Sequence, residues 1–181
     1  MLAIAALLVA ILLGWAAGGS FRQLERISLN RERLLLIVFV LQGLARGRML
    51  GAGATERGLV LWLCASGVLV AILATNWRTP GVAATIAGTL INMAVVSINV
   101  GMPFGTRCVG AGAFSHAANA VGAGFYRAMD PSTVLPWLGD AIPLPLGGSV
   151  LLFSPGDMAL AIGVVGVLVG GMTARVPPIR V

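Results

Sequence analysis

The chain has 181 residues, of which 58% are hydrophobic and only 10% are charged. Its mean hydropathy is +0.97, and a typical soluble domain carries about 25% charged residues. This composition excludes a soluble cytosolic enzyme, a disordered chain and a coiled coil, and it predicts a multi-pass protein of the cell membrane. The net charge of +6 does not indicate nucleic-acid binding, because all 12 basic residues are arginines, most of them at the ends of apolar runs. Topology signals and snorkelling side chains lie at such ends.

Five apolar stretches predict an all-α, polytopic transmembrane helical bundle with about five spans, in a single integral membrane domain that covers residues 1–181. The stretches are residues 2–18, 34–52, 58–75, 81–100 and 157–173. A span needs roughly 20 residues, and the second stretch reaches this length only if Arg46 and Arg48 snorkel. Trp62, Trp77 and Trp137 lie near predicted helix ends, where interfacial Trp residues are enriched.

Residues 101–156 form the long connection between the last two predicted spans, and this connection is the most polar part of the chain. We expect it to lie outside the membrane or at its surface. Within it, residues 109–129 are apolar enough to form an interfacial or re-entrant helix, or a sixth span. The heaviest cluster of arginines follows the first predicted helix, at Arg22, Arg26, Arg31 and Arg33. By the positive-inside rule this loop lies inside. With five spans the long connection then lies outside, whereas a second stretch that is only re-entrant would invert everything after it.

Asp140 and Asp157 lie 17 residues apart, on either side of a Pro- and Gly-rich link. Asp157 begins the last predicted helix, and Asp140 lies where the long connection returns to the membrane, so both can lie at one membrane face. Two facing carboxyl groups at a partly desolvated site do not both ionise easily, so one retains a proton. The ionised acid can then take a proton from water while the other polarises a carbonyl. Such a pair hydrolyses a peptide bond without a metal or cofactor.

The same acids also fit simpler structural roles. The sequence from Ser154 to Asp157 is a capping box, with Ser154 as the N-cap of the last helix. Asp140 follows a glycine, which favours a Gly-Asp turn, and Asp130 precedes Pro131, which also indicates a turn. A capping acid can also face a site, so the structural and the catalytic interpretations are compatible.

The segment from Asp140 to Gly163 resembles the C-terminal part of lipoprotein signal peptidase (signal peptidase II). That family has an aspartate in a Val-Asp-Phe-Ile-like turn, then a Phe-Asn-x-Ala-Asp box and a following Gly. The corresponding sequences here are Asp140-Ala-Ile, Phe153-Ser-Pro-Gly-Asp157 and Gly163. The resemblance implies that Asp140 and Asp157 form a catalytic dyad. Ser replaces the Asn of the family's box, and the family's Gly-Asn-x-x-Asp-Arg element has no clean counterpart.

The chain as a whole resembles an uncharacterised family of small bacterial multi-span membrane proteins, which is defined as a domain of unknown function. Its signature appears here as Asn99-x-Gly-Met-Pro103, Leu138-Gly-Asp-x-Ile-Pro143 and Phe153-Ser-Pro-Gly-Asp157. This second resemblance implies no activity.

Three further residues complete the candidate site. We expect Asn99 and Arg127 to position a substrate, and His116 to form hydrogen bonds within the long connection or to support the two aspartates. A metal site needs three or four ligands, and Cys108, His116 and an aspartate do not have the spacing of one. The sequence therefore predicts neither a metal nor a cofactor.

Polar and small residues lie on one face of each of the last two predicted helices. Asn92 and Asn99 are seven residues apart, and Gly163, Gly166 and Gly170 follow in the last helix. Polar residues in membrane helices usually face other helices, and small residues allow close helix packing. Asn92 is therefore predicted to bind a neighbouring helix or to line a substrate groove. The glycines are predicted to pack against a helix of the same chain or of a second one.

Three hypotheses of function follow from these residues. The first is an aspartyl intramembrane peptidase that cleaves a peptide bond near the outer membrane face. The second is a non-enzymatic membrane subunit or scaffold of a larger complex, in which the acids only form a cap and a turn. The third is a lipid or small-ion carrier. The expected partners are membrane lipid and either a peptide substrate or a membrane-protein complex, and not nucleic acid.

Overall fold

The computed structural model describes residues 2–24, 29–46, 54–105, 125–146 and 149–174. These ranges contain helices along most of their length and short strands in the long connection. The elements, in chain order, are α1 (Leu2–Ala16), α2 (Phe21–Leu24), α3 (Glu32–Arg46), α4 (Ala54–Ala74), α5 (Val82–Asn99), β1 (Met102–Phe104), β2 (Tyr126–Ala128), a 3-10 helix (Pro136–Leu138), β3 (Ile142–Leu146), β4 (Ser149–Phe153) and α6 (Pro155–Met172).

Three helices are long and apolar enough to cross a bilayer, namely those over Glu56–Ala74, Val82–Asn99 and Pro155–Met172. The described ranges also hold two shorter apolar helices, Ile4–Ala16 and Arg33–Ala45. A mostly helical architecture with helices compatible with membrane spans is therefore confirmed. The predicted extension of the second span to residue 52 and the predicted sixth helix over residues 109–129 lie largely outside the described residues.

The prediction of an all-α fold is only approximately right, because the long connection contains strands. β1 pairs with β2 in parallel, and β3 pairs with β4 as an antiparallel hairpin. Prolines explain why β3 is not helical. Pro143 and Pro145 each lack the N–H that a helix interior requires, whereas a strand at the edge of a sheet tolerates proline.

The helices pack side by side in the spatial order α3, α4, α5, α6, α1. One buried cluster lies where α4 and α5 meet β1, and it includes Trp62, Val95, Val96, Met102 and Phe125. A second cluster joins α3 and α4 to the start of α5. The first cluster therefore connects the helical bundle to the strands of the long connection.

Helices α5 and α6 approach each other closely along their glycines. A Cβ atom at Gly88 would lie 2.5 Å from the carbonyl oxygen of Gly156, and one at Gly166 would lie 2.8 Å from the Cα of Gly81. A Cβ at Gly163 would collide with Thr85. The predicted close packing of the last helix through its glycines is thus confirmed. These glycines lie against α5 and the residues just before it, and α1 of the same chain also packs on α6. The packing of α5 on α6 brings Asn92 of α5 to the first turn of α6.

Candidate functional site

Asp157 lies in the first turn of α6, and the chain itself orients its side chain. Ser154 is the N-cap, and its Oγ accepts a hydrogen bond from the Asp157 N–H at 3.0 Å. The Ser154 N–H in turn donates to Oδ2 of Asp157 at 3.3 Å. The predicted capping box is therefore confirmed, and a negative charge in the first turn also interacts favourably with the helix dipole.

Asn92 of α5 connects the side chains of Ser154 and Asp157, the two residues of the capping box. Its Nδ2 donates to Oδ1 of Asp157 at 2.9 Å, and its Oδ1 accepts a hydrogen bond from the Ser154 hydroxyl at 3.0 Å. Both Asn92 and Ser154 are buried. A Cβ atom at Gly156 would collide with the Asn92 side chain, so glycine is the residue that admits this contact. Asn92 thus binds a neighbouring helix, as one of its two predicted roles requires.

Asp140 is held by the strands and not by a helix. It forms a parallel bridge with Phe104, its N–H donates to the carbonyl of Pro103 at 2.8 Å, and its carbonyl accepts from the Gly105 N–H at 2.9 Å. Asp140 therefore extends the β1–β2 ladder. It also lies in a tight turn, because the Ala141 N–H donates to the Gly139 carbonyl at 2.8 Å, in agreement with the predicted Gly-Asp turn. The bridge forms because β1 leaves one edge open to the segment around Asp140. The residue is 8% exposed.

Asp140 and Asp157 line the same small cavity, which we call the acid chamber. Its volume is about 50 Å³, and it lies between α4, α5, the start of α6 and the strands. A single water requires roughly 10–15 Å³, so the chamber has room for water but not for a large side chain. Its lining residues are Trp62, Asn92, Val96, Met102, Phe125, Tyr126, Asp140 and Asp157.

The β1–β2 ladder separates the acid chamber from a second cavity. The paired residues Met102 and Tyr126 line the acid chamber. The next pair, Pro103 and Arg127, lines a polar cavity of about 210 Å³. This division follows from strand geometry, since successive side chains point to opposite faces.

Asn99 and Arg127 both line this polar cavity. Arg127 donates from Nη1 to the backbone carbonyl of Asn99 at 3.1 Å. The Asn99 side chain accepts from the Val134 N–H at 2.9 Å and donates to the Val134 carbonyl at 3.0 Å. The structure therefore brings these two predicted substrate-positioning residues together, but neither lines the acid chamber.

Asp130 closes the rim of the polar cavity with the predicted turn. Its Oδ1 accepts hydrogen bonds from the Ser132 hydroxyl at 2.6 Å and from the Ser132 N–H at 2.8 Å. These two bonds, assisted by the nearby charge of Arg127, hold the pKa of Asp130 below its ordinary value of 3.8. Asp130 is fully exposed, so this effect is local to the turn.

A third cavity, of about 360 Å³, lies between α3, α4, α5 and α6. Its walls are mostly aliphatic, and the hydroxyls of Thr85 and Thr89 donate to carbonyls of their own helix. Trp62 and Asn92 line both this apolar cavity and the acid chamber. The two spaces are therefore neighbours that share this pair of side chains.

Sequence reasoning missed the burial of Trp62. It was predicted to lie near a helix end at a membrane interface, and it does lie near the start of the helix over Glu56–Ala74. It is nevertheless 3% exposed and packs edge-to-face on Phe125, with ring centroids 5.3 Å apart, because β1 and the segment around Phe125 cover this part of α4. Trp77 and Trp137, by contrast, are each 64% exposed.

His116 and Cys108 lie outside the described residues. Within the described ranges, no three His, Cys, Asp or Glu side chains are grouped so as to hold a metal ion. The site that can be built there consists of two acids, one amide, one hydroxyl and the aromatic side chains around them.

Comparison with known proteins adds the family and nothing about activity. No curated protein and no solved structure matches the chain. Residues 26–169, most of the chain, match DUF5317, which is described as a family of unknown function. The signature over Asn99, Asp140 and Asp157 that predicted an uncharacterised family lies within this match, and the chain belongs to the DUF5317 family.

Proposed function

We propose that the protein is a membrane-embedded aspartyl hydrolase in which Asp140 and Asp157 cleave a peptide bond at one face of the membrane. The observation that carries the proposal is the acid chamber, because Asp140 and Asp157, which come from different elements, both line this cavity, and it has room for water. The resemblance of Asp140-Ala-Ile and Phe153-Ser-Pro-Gly-Asp157 to the dyad of lipoprotein signal peptidase supports the same pairing.

The hydrogen bonds of the chamber suggest a role for each acid. Both oxygens of Asp157 accept hydrogen bonds, from Asn92 and from Ser154, and a carboxylate is an acceptor-only group. In the proposed reaction Asp157 takes a proton from a water molecule while the oxygen of that water attacks the carbonyl carbon of the peptide bond. Protonated Asp140 donates a hydrogen bond to the oxygen of the same carbonyl. The C–N bond then breaks, and the leaving amine takes the proton from Asp157.

The apolar cavity beside the chamber supports a substrate that lies partly in the membrane. Its volume of about 360 Å³ is in the range of small-ligand sites, and its walls suit aliphatic side chains. An apolar peptide segment in this cavity would lie against Trp62 and Asn92, next to the acids. The polar cavity with Asn99, Arg127 and Asp130 lies on the other face of the β1–β2 ladder, so the proposed path of the peptide does not include it.

The test compares the N-termini of membrane proteins in cells that express the wild-type chain with those in cells that express Asp140→Asn or Asp157→Asn. We expect new N-termini with the wild-type chain and their loss with either variant. Asp130→Asn is the matched control, because Asp130 lies in the same connection but does not line the chamber. Identical sets of N-termini in all four strains would contradict the proposal, provided that the variants insert and fold.

One observation favours the second candidate, a non-enzymatic membrane subunit or scaffold. Asn92, Ser154 and Asp157 already satisfy one another between α5 and α6, which is what a purely structural cluster would do. Under that alternative, Asp157→Asn lowers the stability of the purified protein and leaves membrane-protein processing unchanged. Co-purification with other membrane proteins at fixed stoichiometry would support it further.

A further inference from the structure

The β3–β4 hairpin joins the two acids of the chamber, and it is apolar on both faces. Residues 141–153 contain no charged side chain, and Ser149, at the start of β4, is their one polar side chain. Ile142 and Leu144 are each 40% exposed, and Pro143 and Pro145, which alternate with them, are exposed as well. Successive strand residues point to opposite faces, and a hairpin with one face in water normally carries polar residues on that face. This hairpin therefore has no side suited to water.

Two prolines remove hydrogen-bond donors from the exposed edge of β3. Pro143 and Pro145 have no N–H, so the pairs that exchange both backbone hydrogen bonds are those of Ile142, Leu144 and Leu146 with β4. The nitrogen atoms of the two prolines consequently face the edge that has no strand partner among the described residues. At this edge, proline removes donors that would otherwise lie unpaired. Unpaired N–H groups are costly wherever water is scarce.

The position of the hairpin along the chain agrees with its composition. β4 ends at Phe153, and Pro155 begins α6, one of the helices long enough to cross a bilayer. On the other side, the exposed Trp137 lies shortly before β3, and Trp is enriched at the boundary between lipid and water. The hairpin is thus continuous with an element that enters the membrane.

We propose that the β3–β4 hairpin inserts into the interfacial layer of the bilayer, at the face where α6 begins. The hydrocarbon centre is excluded, because the carbonyls of Pro143 and Pro145 still need water or lipid headgroups as donors. Insertion places Asp140 and Asp157, which flank the hairpin, at the depth of the lipid headgroups. The inference does not depend on whether the two acids are catalytic.

The test measures the depth of a nitroxide spin label on the hairpin. Leu144→Cys is prepared in a chain that also carries Cys64→Ala and Cys108→Ser, and the labelled protein is reconstituted into vesicles of phosphatidylcholine and phosphatidylglycerol. Oxygen concentrates in the bilayer, whereas a nickel chelate stays in water. We expect the ratio of oxygen to nickel collisions to be several-fold higher at residue 144 than at a label on Ser132→Cys, which lies in the exposed Asp130 turn.

Ile142→Cys, on the same face of β3, provides a second label position if Leu144→Cys does not fold. Equal nickel accessibility at the hairpin and at Ser132→Cys would overturn the proposal, since it would place the hairpin in water. Labels on the hairpin that neither reagent reaches would also overturn it, because a protein partner or a second copy of the chain would then cover this surface.

Discussion

The helix pair α5–α6 and the strand ladder β1–β2 each position one acid of the chamber, in different ways. In the helix pair, the first turn of α6 orients Asp157 through Ser154, three residues away, and a single residue of α5, Asn92, completes the arrangement. In the strand ladder, Asp140 depends on backbone bonds to Pro103 and Gly105, which lie far away in the sequence.

This difference shows that the chamber combines a local and a non-local element. The capping box forms wherever α6 begins, whereas Asp140 faces the chamber only if the ladder has its observed register. A shift of one residue in a strand turns its side chains to the other face. Such a shift would turn the Asp140 side chain away from Asp157 and toward the face of the ladder that lines the polar cavity. The helix pair that positions Asp157 and the strand ladder that positions Asp140 can therefore be disrupted independently.

The largest effect is expected from disrupting the helix pair with Gly156→Ala. The new Cβ atom collides with the Asn92 side chain, so the helices must separate or Asn92 must leave Asp157. Overpacking of this kind costs about 1–3 kcal/mol of unfolding free energy. The change can be measured by unfolding the protein with sodium dodecyl sulfate in mixed micelles.

Gly67→Ala in α4 is the matched control for Gly156→Ala. A Cβ atom at Gly67 has nothing within 4 Å, and alanine favours a helix over glycine by up to about 1 kcal/mol. We expect this control to leave the stability unchanged or to raise it slightly. Equal losses of stability at the two positions would show that close packing of α5 on α6 is not what Gly156 provides.

A smaller effect on stability is expected from disrupting the strand ladder with Gly139→Ala. A Cβ atom at Gly139 would lie 2.5 Å from the carbonyl oxygen of Pro103, the atom that accepts the Asp140 N–H. We expect a loss of about 1 kcal/mol, with a larger effect on the position of Asp140 than on that of Asp157. Carboxyl ¹³C NMR of the aspartates measures this, with Asp140→Asn and Asp157→Asn assigning the two signals.

Gly105→Ala provides the control in the same ladder, because its nearest neighbour atoms lie 3.7 Å or more from a Cβ there. It should leave both aspartate signals in place. If Gly139→Ala moved the Asp157 signal as far as that of Asp140, the two parts of the chamber would be coupled, and their independence would be disproved.

Most of the helical part of this site could be predicted from the sequence. The capping box is a motif of four consecutive residues, and the glycines of α6 are spaced as close packing requires. A contact of Asn92 with a neighbouring helix was one of the two roles predicted for it, because a polar side chain in an apolar helix needs a partner. Each of these features depends on neighbouring or periodic positions, which are visible in one sequence.

The strand part could not be predicted, because it depends on pairing between distant segments. The sequence predicted a turn at Asp140 but not its bridge to Phe104. It also did not reveal that Asn99 and Arg127 line a different cavity from the two acids. Arg127 faces the polar cavity only because Pro103, its partner in the ladder, does so. The burial of Trp62 was not predicted, since hydropathy alone does not reveal that β1 packs over this part of α4. Without the register, the face to which each of these side chains points is unknown.

The smallest effect is expected on the water-facing side of the ladder, in the Asp130 turn. Because the Ser132 hydroxyl and N–H hold the pKa of Asp130 below 3.8, the folded turn favours the carboxylate. Its contribution is therefore complete above the unfolded-state pKa and is lost as the pH falls through the lower, folded-state pKa. The amide proton signal of Ser132 in NMR should report this titration with a midpoint below 3.8. Asp130→Asn should abolish the titration and leave the aspartate signals of the chamber unchanged. A midpoint at or above 3.8 would mean that the bonds to Ser132 do not stabilise the carboxylate in solution.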